Sequence, residues 1–411
     1  MDGFNHRAAI RRANCRRADR SSGAPHRGRA WILVAALLTL APQAAAAELD
    51  LGVDLPPVAI HGFVSPGFVV SIGNEYLAKS SEGTFEFVEV GINFTSQLTE
   101  QLRIGVQIFA RDLGRRGDYT PKADWFYLDY RFADWIGLRA GRTKLPFGLL
   151  NEVNDIDQAR VPILLPQSIY PITNRDFLLA QTGVELYGYV VMGDAGALDY
   201  RIYGGTIFFD VDSSAGGQFD VDELSVPYLV GGRLMWETPA PGLRVGGSVQ
   251  ALRLDTTLSV TQPQPLTLTA DIEALLWVVS LELTVDDAMV AMEYSRWHVQ
   301  THSSQPTLIP EAEVISERAY ALFSYRVDWF TPGVYYSVLF PDVDDRTGRE
   351  QRQHDVALTL RFDINEFWLV KVEGHYMNGT AATEPILNGG RPRSELDEDW
   401  AVFLLKTTAW F

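Results

Sequence analysis

A chain of 411 residues with 46% hydrophobic residues, a mean hydropathy of −0.03 and a formal charge of −17 is too polar for a helical membrane protein and too apolar for a disordered one. Acidic residues outnumber basic ones by 52 to 35, which argues against nucleic acid as a partner. The one cysteine, Cys15, lies within the export signal described next, ahead of its apolar run, so the exported chain is expected to have no disulfide, reactive thiolate or Cys-ligated metal.

Residues 1–47 read as an export signal: an Arg-rich stretch, an apolar run from Ala30 to Ala41, and small residues leading to Ala47. The apolar run is shorter than the roughly 20 residues a membrane-spanning helix needs. Residues 48–411 then form one domain in which the recurring signal is a period of two. In the segment from Leu102 to Arg111, Leu102, Ile104, Val106, Ile108 and Ala110 share one face, and Arg103, Gly105, Gln107, Phe109 and Arg111 the other.

About 16 such segments recur, each about 9–14 residues long, the length that crosses an outer membrane at a tilt. In chain order they fall near 57–71, 84–98, 101–113, 122–134, 136–145, 179–193, 197–210 and 225–238. The rest fall near 242–257, 268–284, 288–301, 314–328, 332–341, 351–363, 366–378 and 399–411. Short turns are expected at Thr99, Ala133, Asp194, Pro239, Asp286, Phe330 and Asp363, and they alternate with long polar connections. The fold class expected is therefore all-β: a transmembrane antiparallel barrel with a long inward-folded constriction loop at about 146–180. A secreted β-sandwich or solenoid also alternates, but charges in mid-strand would be costly if the polar face were a dry core.

The polar faces nominate Arg103, Arg111, Arg131, Arg139, Arg201, Arg233, Arg244, Arg326, Arg361 and Lys371 as pore-lining, with Lys406 on the same parity. Opposing them are Glu89, Asp129, Glu185, Asp199, Glu237, Glu282, Glu293, Asp328, Asp363 and Glu373. Arginine's planar fork suits carboxylate and phosphate, so an anion preference is one reading of this set. Arg142 and Lys144 fall on the apolar parity of Leu138 and Ala140, which marks a strand that has bulged or left the hydrocarbon. After Pro146-Phe147-Gly148 comes a segment without sustained alternation. Folded inward, it would place Asp155, Asp157, Arg160 and Arg175 beside Arg142 and Lys144 at a constriction. His61, His298, His302, His354 and His375 are scattered, and no HExxH, Gly-x-Ser-x-Gly or P-loop occurs. No metal, cofactor or catalytic set is expected.

The stretch "DWFYLDYRFADWIGLRAGRTKLPFGLLNE", with its Gly-Arg-x-Lys-x-Pro-Phe-Gly core, resembles the phosphate-selective porin O and P family of Gram-negative outer membranes. The match runs from Asp124 to Gln181, and the terminal Phe411 is similar to the sorting signal of outer-membrane barrels. The resemblance implies a 16-stranded trimeric porin in the outer-membrane lipid, passing small hydrophilic or anionic solutes, with Arg142 and Lys144 near the start of the constriction loop. It also implies a lysine cluster at the constriction. This chain has no lysine from Leu145 to Gln181, so a broader anion, dicarboxylate or small-solute porin fits equally. A barrel with a structural or adhesive role and little flux, or a lipid-modifying barrel enzyme, are the other readings.

Overall fold

The computed structural model describes residues 47–48, 56–208, 220–260 and 266–411; the export signal lies outside them except for Ala47. A two-residue strand, β1 (Ala47–Glu48), pairs onto the start of β2 (Val58–Ile72). The wall continues with β3 (Val88–Gln97), β4 (Leu102–Asp112), β5 (Lys122–Ala133) and β6 (Ile136–Lys144). Next come β7 (Ala180–Val191), β8 (Ala197–Thr206), β9 (Asp220–Glu237), β10 (Leu243–Val260) and β11 (Leu266–Val285). It ends with β12 (Ala288–Ser303), β13 (Ala312–Tyr325), β14 (Phe330–Phe340), β15 (Gln353–Asn365), β16 (Trp368–Gly379) and β17 (Asp399–Trp410).

Strands β2 to β17 pair antiparallel with their sequence neighbours, and β17 returns to β2 through Phe403↔Val70 and Leu405↔Phe68. The result is a closed sixteen-strand barrel. Phe411 seals the seam by exchanging backbone hydrogen bonds with Gly62 at 3.0 and 3.2 Å. Closure gives each of β2 to β17 a paired strand on both sides, the condition for placing a sheet in lipid.

The alternation is inside out relative to a soluble protein. Leu128 and Leu358 are each 56% exposed on the outer face, whereas Lys371 and Glu373 are 0% exposed within. An outer face of Ile108, Leu128, Val184, Ile202, Val279, Phe323 and Leu358 suits hydrocarbon, and the charges face the lumen. Connections of two to five residues join strands at one end of the barrel, and all but one of those at the other end are longer.

Two of the local departures from simple alternation bear on the pore wall. The turn expected at Phe330 lies earlier: Val327 and Phe330 exchange backbone hydrogen bonds around Asp328, which holds a left-handed φ of 51°. Thr331 and Gly333 belong instead to β14, opposite Arg361 and Thr359. Arg326, expected on the pore wall, is therefore corrected to this exposed turn, where its N–H bonds to the Asp287 carbonyl at 2.9 Å. Asp328 leaves the wall for the same reason.

The second feature is a bulge. Gln107 faces Trp125 and Ile108 faces Ala123, which leaves Asp124 as the extra residue on β5. Opposite, Gly141 has φ +132°, and a Cβ there would stand 2.3 Å from the Phe126 carbonyl oxygen. Gly141→Val is expected to destabilise the barrel by about 1–3 kcal/mol. The drop should appear as a lower temperature at which the folded band is lost in semi-native electrophoresis.

Candidate pore and its inward loop

The chain leaves β6 at Leu145 and returns at Ala180, and the intervening segment runs through the barrel interior. Pro146 cannot extend a ladder, and Gly148 takes a positive φ of 63° that turns the chain across the lumen. The Gly148 N–H then donates to Ser248 Oγ of β10 at 2.9 Å, and the Leu149 N–H to Glu293 of β12 at 2.9 Å. Farther on, the N–H groups of Ile163 and Leu164 donate to the two oxygens of Glu373 on β16, at 2.7 and 2.8 Å.

Carbonyls of the loop find cations. Lys371 Nζ donates to those of Asp157 and Arg160, each at 2.8 Å, and Arg361 to that of Gln158 at 2.8 Å. Arg318 reaches the Ser168 carbonyl at 2.7 Å. Irregular backbone at membrane depth must have such partners, and here wall side chains supply them. Apolar packing completes the seat. Leu145, Phe147, Leu165, Ile169 and Tyr170 join Leu229, Leu252, Trp297 and Tyr335 in one cluster, and Ile163 and Leu164 join Val69, Phe87 and Trp400 in another.

Asp157 is the most heavily bonded loop side chain. One oxygen accepts from Thr408 Oγ1 at 2.8 Å and Ser65 Oγ at 3.1 Å and lies 2.7 Å from Lys406 Nζ. The other lies 2.9 Å from Arg160 and 3.8 Å from Lys371. Burial alone would raise its carboxyl, but Lys406, Arg160 and Lys371 more than offset that and hold it well below the usual range. Lys406 also pairs with Glu89 at 2.5 Å. Asp155 is held down likewise, against its burial, by Arg175 at 2.9 Å and Lys144 at 3.2 Å. Arg175 continues to Asp124 at 3.0 Å, so the bulge on β5 anchors the loop.

These contacts correct the expected constriction. Asp155, Asp157, Arg160 and Arg175 do come together, but they are buried and pin the loop to the wall, and of the four only Asp155 also borders the cavity described below. Desolvated charges in the seam need fixed partners, and the wall offers them. Arg142 keeps the outward parity of Leu138 and donates its Nε to the Asp124 carbonyl at 2.8 Å, bracing the bulge. Lys144, the last residue of β6, reaches the Glu152 carbonyl at 3.0 Å and lines an internal cavity.

That cavity, about 300 Å³, lies between loop residues 152–158 and the wall from β2 to β6. Trp125 and Tyr127 stack there at 5.4 Å, and the Arg139 guanidinium sits 5.0 Å over the Tyr127 ring. Arg139 begins a row along the inner wall. It pairs with Asp129 and Glu185, each at 3.1 Å; Arg201 pairs with Glu185 at 3.1 Å; and Arg233 pairs with Asp199 at 3.3 Å.

Of the remaining nominated residues, Arg244 pairs with Glu282 at 2.8 Å and Arg111 stands opposite Glu89, both on the inward parity. Arg103 and Arg131 share that parity at the short-turn end, Arg131 at 4.0 Å from Asp134. Sequence reasoning missed Glu152, Ser248 and Arg318. Arg318 was within reach, because it continues the inward parity of Tyr320; Glu152 lies in a segment with no period to read.

No family model and no curated protein matches the sequence. Solved structures do. In-vitro folded OmpT of Vibrio cholerae, in its trimer form, is similar with a TM-score of 0.53 and 13% identity over 87% of this chain and 100% of that one. An anion-selective porin from Comamonas acidovorans is similar at 0.50 and 11%, over 86% and 99% of the two chains. The outer membrane channel DcaP of Acinetobacter baumannii is similar at 0.53 and 11%, over 90% and 100%. At these identities the likeness establishes the fold, the sixteen-strand barrel of outer-membrane porins, and not the narrower phosphate-selective family.

Proposed function

We propose that the protein is a passive outer-membrane channel for small hydrophilic solutes, narrowed by its inner loop and preferring oxyanions such as carboxylates or phosphate. The observation that carries this reading is the residual cavity beside the docked loop, where Arg139 and Lys144 stand with Glu152 and Asp155 and the row of Arg201 and Arg233 continues along the wall. Fixed guanidinium groups in a narrow, low-dielectric bore favour anions over cations of equal size. The similarity to an anion-selective porin and to a channel protein supports the reading. A homotrimer in the outer-membrane lipid is part of the same proposal, supported by the trimer form of the similar Vibrio protein.

Liposome swelling with the folded protein tests it: small organic anions should enter faster than cations of the same size, and oligosaccharides should be excluded. Equal rates for both charges would remove the anion preference, and no swelling would remove the channel. A finer test separates the two cations that the sequence placed together. Lys144→Glu is expected to move the reversal potential towards cation selectivity, because Lys144 lines the cavity. Arg142→Glu is expected to leave it unchanged, because Arg142 has the outward parity. Planar-bilayer recordings under a salt gradient read both.

A further inference from the structure

We propose that Glu152 is a built-in competitor of the permeant oxyanion: it occupies the Arg201 and Arg233 guanidinium groups, and an incoming carboxylate or phosphate displaces it. This rests on the anion-channel reading above and adds the residue that sets how tightly the bore holds its solute.

Three features of Glu152 carry the inference. First, its backbone is fixed and its carboxylate is not. Asn151, beside it, donates from Nδ2 to the carbonyls of Leu145 and Leu178 at 2.9 and 2.7 Å, and Lys144 holds the Glu152 carbonyl at 3.0 Å. The carboxylate therefore hangs from a pinned turn into the cavity it helps to line, with 28% of its side chain exposed. A group so placed can swing aside without undocking the loop.

Second, the match with the two arginines is incomplete. Glu152 makes a good bond to Arg233 at 2.7 Å, but its other oxygen is 3.6 Å from Arg201, beyond a hydrogen bond. The Nε groups of Arg201 and Arg233 are buried and have no hydrogen-bond partner among the described residues. A free oxyanion, able to turn and offer several acceptors, fits two such forks better than a tethered carboxylate.

Third, the wall already balances itself. Asp129, Glu185 and Asp199 are strand residues that pair with Arg139, Arg201 and Arg233, three charges against three. Glu152 is the fourth negative charge, and the only one of these that comes from the loop. Removing it leaves the arginine row with its three strand carboxylates and no tethered anion from the loop.

The experiment compares wild type, Glu152→Gln and Arg233→Gln in planar bilayers, with inorganic phosphate and succinate as probes against a chloride current. Glu152→Gln should raise the anion-to-cation permeability ratio, and half-block by either probe should need about fivefold less of it, the effect of losing one partly exposed ion pair. Arg233→Gln should weaken the block in both the wild-type and the Glu152→Gln background. Protease resistance of the loop, unchanged in Glu152→Gln, shows that docking is intact. Unaltered block in Glu152→Gln, or full block in Arg233→Gln, overturns the inference. A wild-type protein that conducts but behaves so refutes only the role of Glu152, whereas one that does not conduct refutes the channel itself.

Discussion

Asp157→Ala is expected to release the inner loop from the wall and raise the unit conductance severalfold, while the barrel itself stays closed. The reason is the number of groups that converge on this carboxylate: Ser65, Thr408, Lys406, Arg160 and Lys371. Removing one partner of a buried ion pair costs about 3–5 kcal/mol, because the opposite charge is left uncompensated in low dielectric. Here Lys406 keeps Glu89, and Lys371 keeps the loop carbonyls only while the loop stays docked. A change of that size is enough to turn a docked majority into an undocked one. New protease cleavage between Asn151 and Leu178, together with larger current steps, is the expected pair of results. Asp157→Asn, which keeps shape but not charge, should fall between variant and wild type.

The pH dependence follows with a definite sign. Burial opposes ionisation of Asp157 and Asp155, yet the surrounding cations hold both carboxyls below their ordinary range. A depressed carboxyl contributes stability that is fully present above its unfolded value, about 4, and is lost as pH falls through the folded value. Loop docking should therefore be constant from neutral pH down to about 5 and weaken only in stronger acid. Unit conductance recorded across that range should be flat and then rise. A rise between pH 7 and 5 would point to a group other than these two.

The other large effect is expected at Glu373. Its carboxylate accepts the N–H groups of Ile163 and Leu164, the Thr359 hydroxyl, and His375 Nε2 at 3.0 Å, while His375 Nδ1 lies 2.9 Å from Asp355. Glu373→Ala would leave two buried backbone donors without acceptors, at about 1–3 kcal/mol each, and remove one carboxylate from the histidine. Hydrogen exchange at Ile163 and Leu164 should speed up by orders of magnitude, with the strand amides of β16 still protected. Glu373→Gln keeps one good acceptor and should lose roughly half as much. Equal protection in wild type and Glu373→Ala would show that the apolar contacts of Ile163 and Leu164 alone seat the loop.

The barrel was legible because its rule is local. Alternation with period two, turns of two to five residues and mid-strand charges are all visible in windows of about ten residues, and they located all sixteen strands. Where the reading slipped, a single backbone conformation was responsible. Asp328 in the left-handed region moved a turn ahead of Phe330 and took Arg326 off the wall. The bulge at Asp124, whose carbonyl takes the Arg142 guanidinium, accounts for a cation on the outward parity, and Lys144 turns inward where β6 ends.

The site was legible only in its ingredients. That the segment after Pro146 folds inward could be expected from its length and its lost alternation, but its charged residues were expected to face the solute. Which cations meet which carboxylates depends on contacts between residues far apart in sequence, such as Asp157 with Lys406 and Asp124 with Arg175. No spacing rule encodes those. Burial then decides their role: a charge sealed between loop and wall fixes the loop, and only Arg139, Lys144, Glu152 and Asp155 of the charged set border the cavity.

Single-channel recording of the folded wild-type protein in planar bilayers beside the Asp157→Ala variant tests most directly whether the docked loop narrows an anion channel. Discrete, small, anion-selective steps are expected for the wild type, and larger, less selective steps for the variant. Folded protein that gives no steps, or a variant whose steps match the wild type in size and selectivity, would contradict that reading.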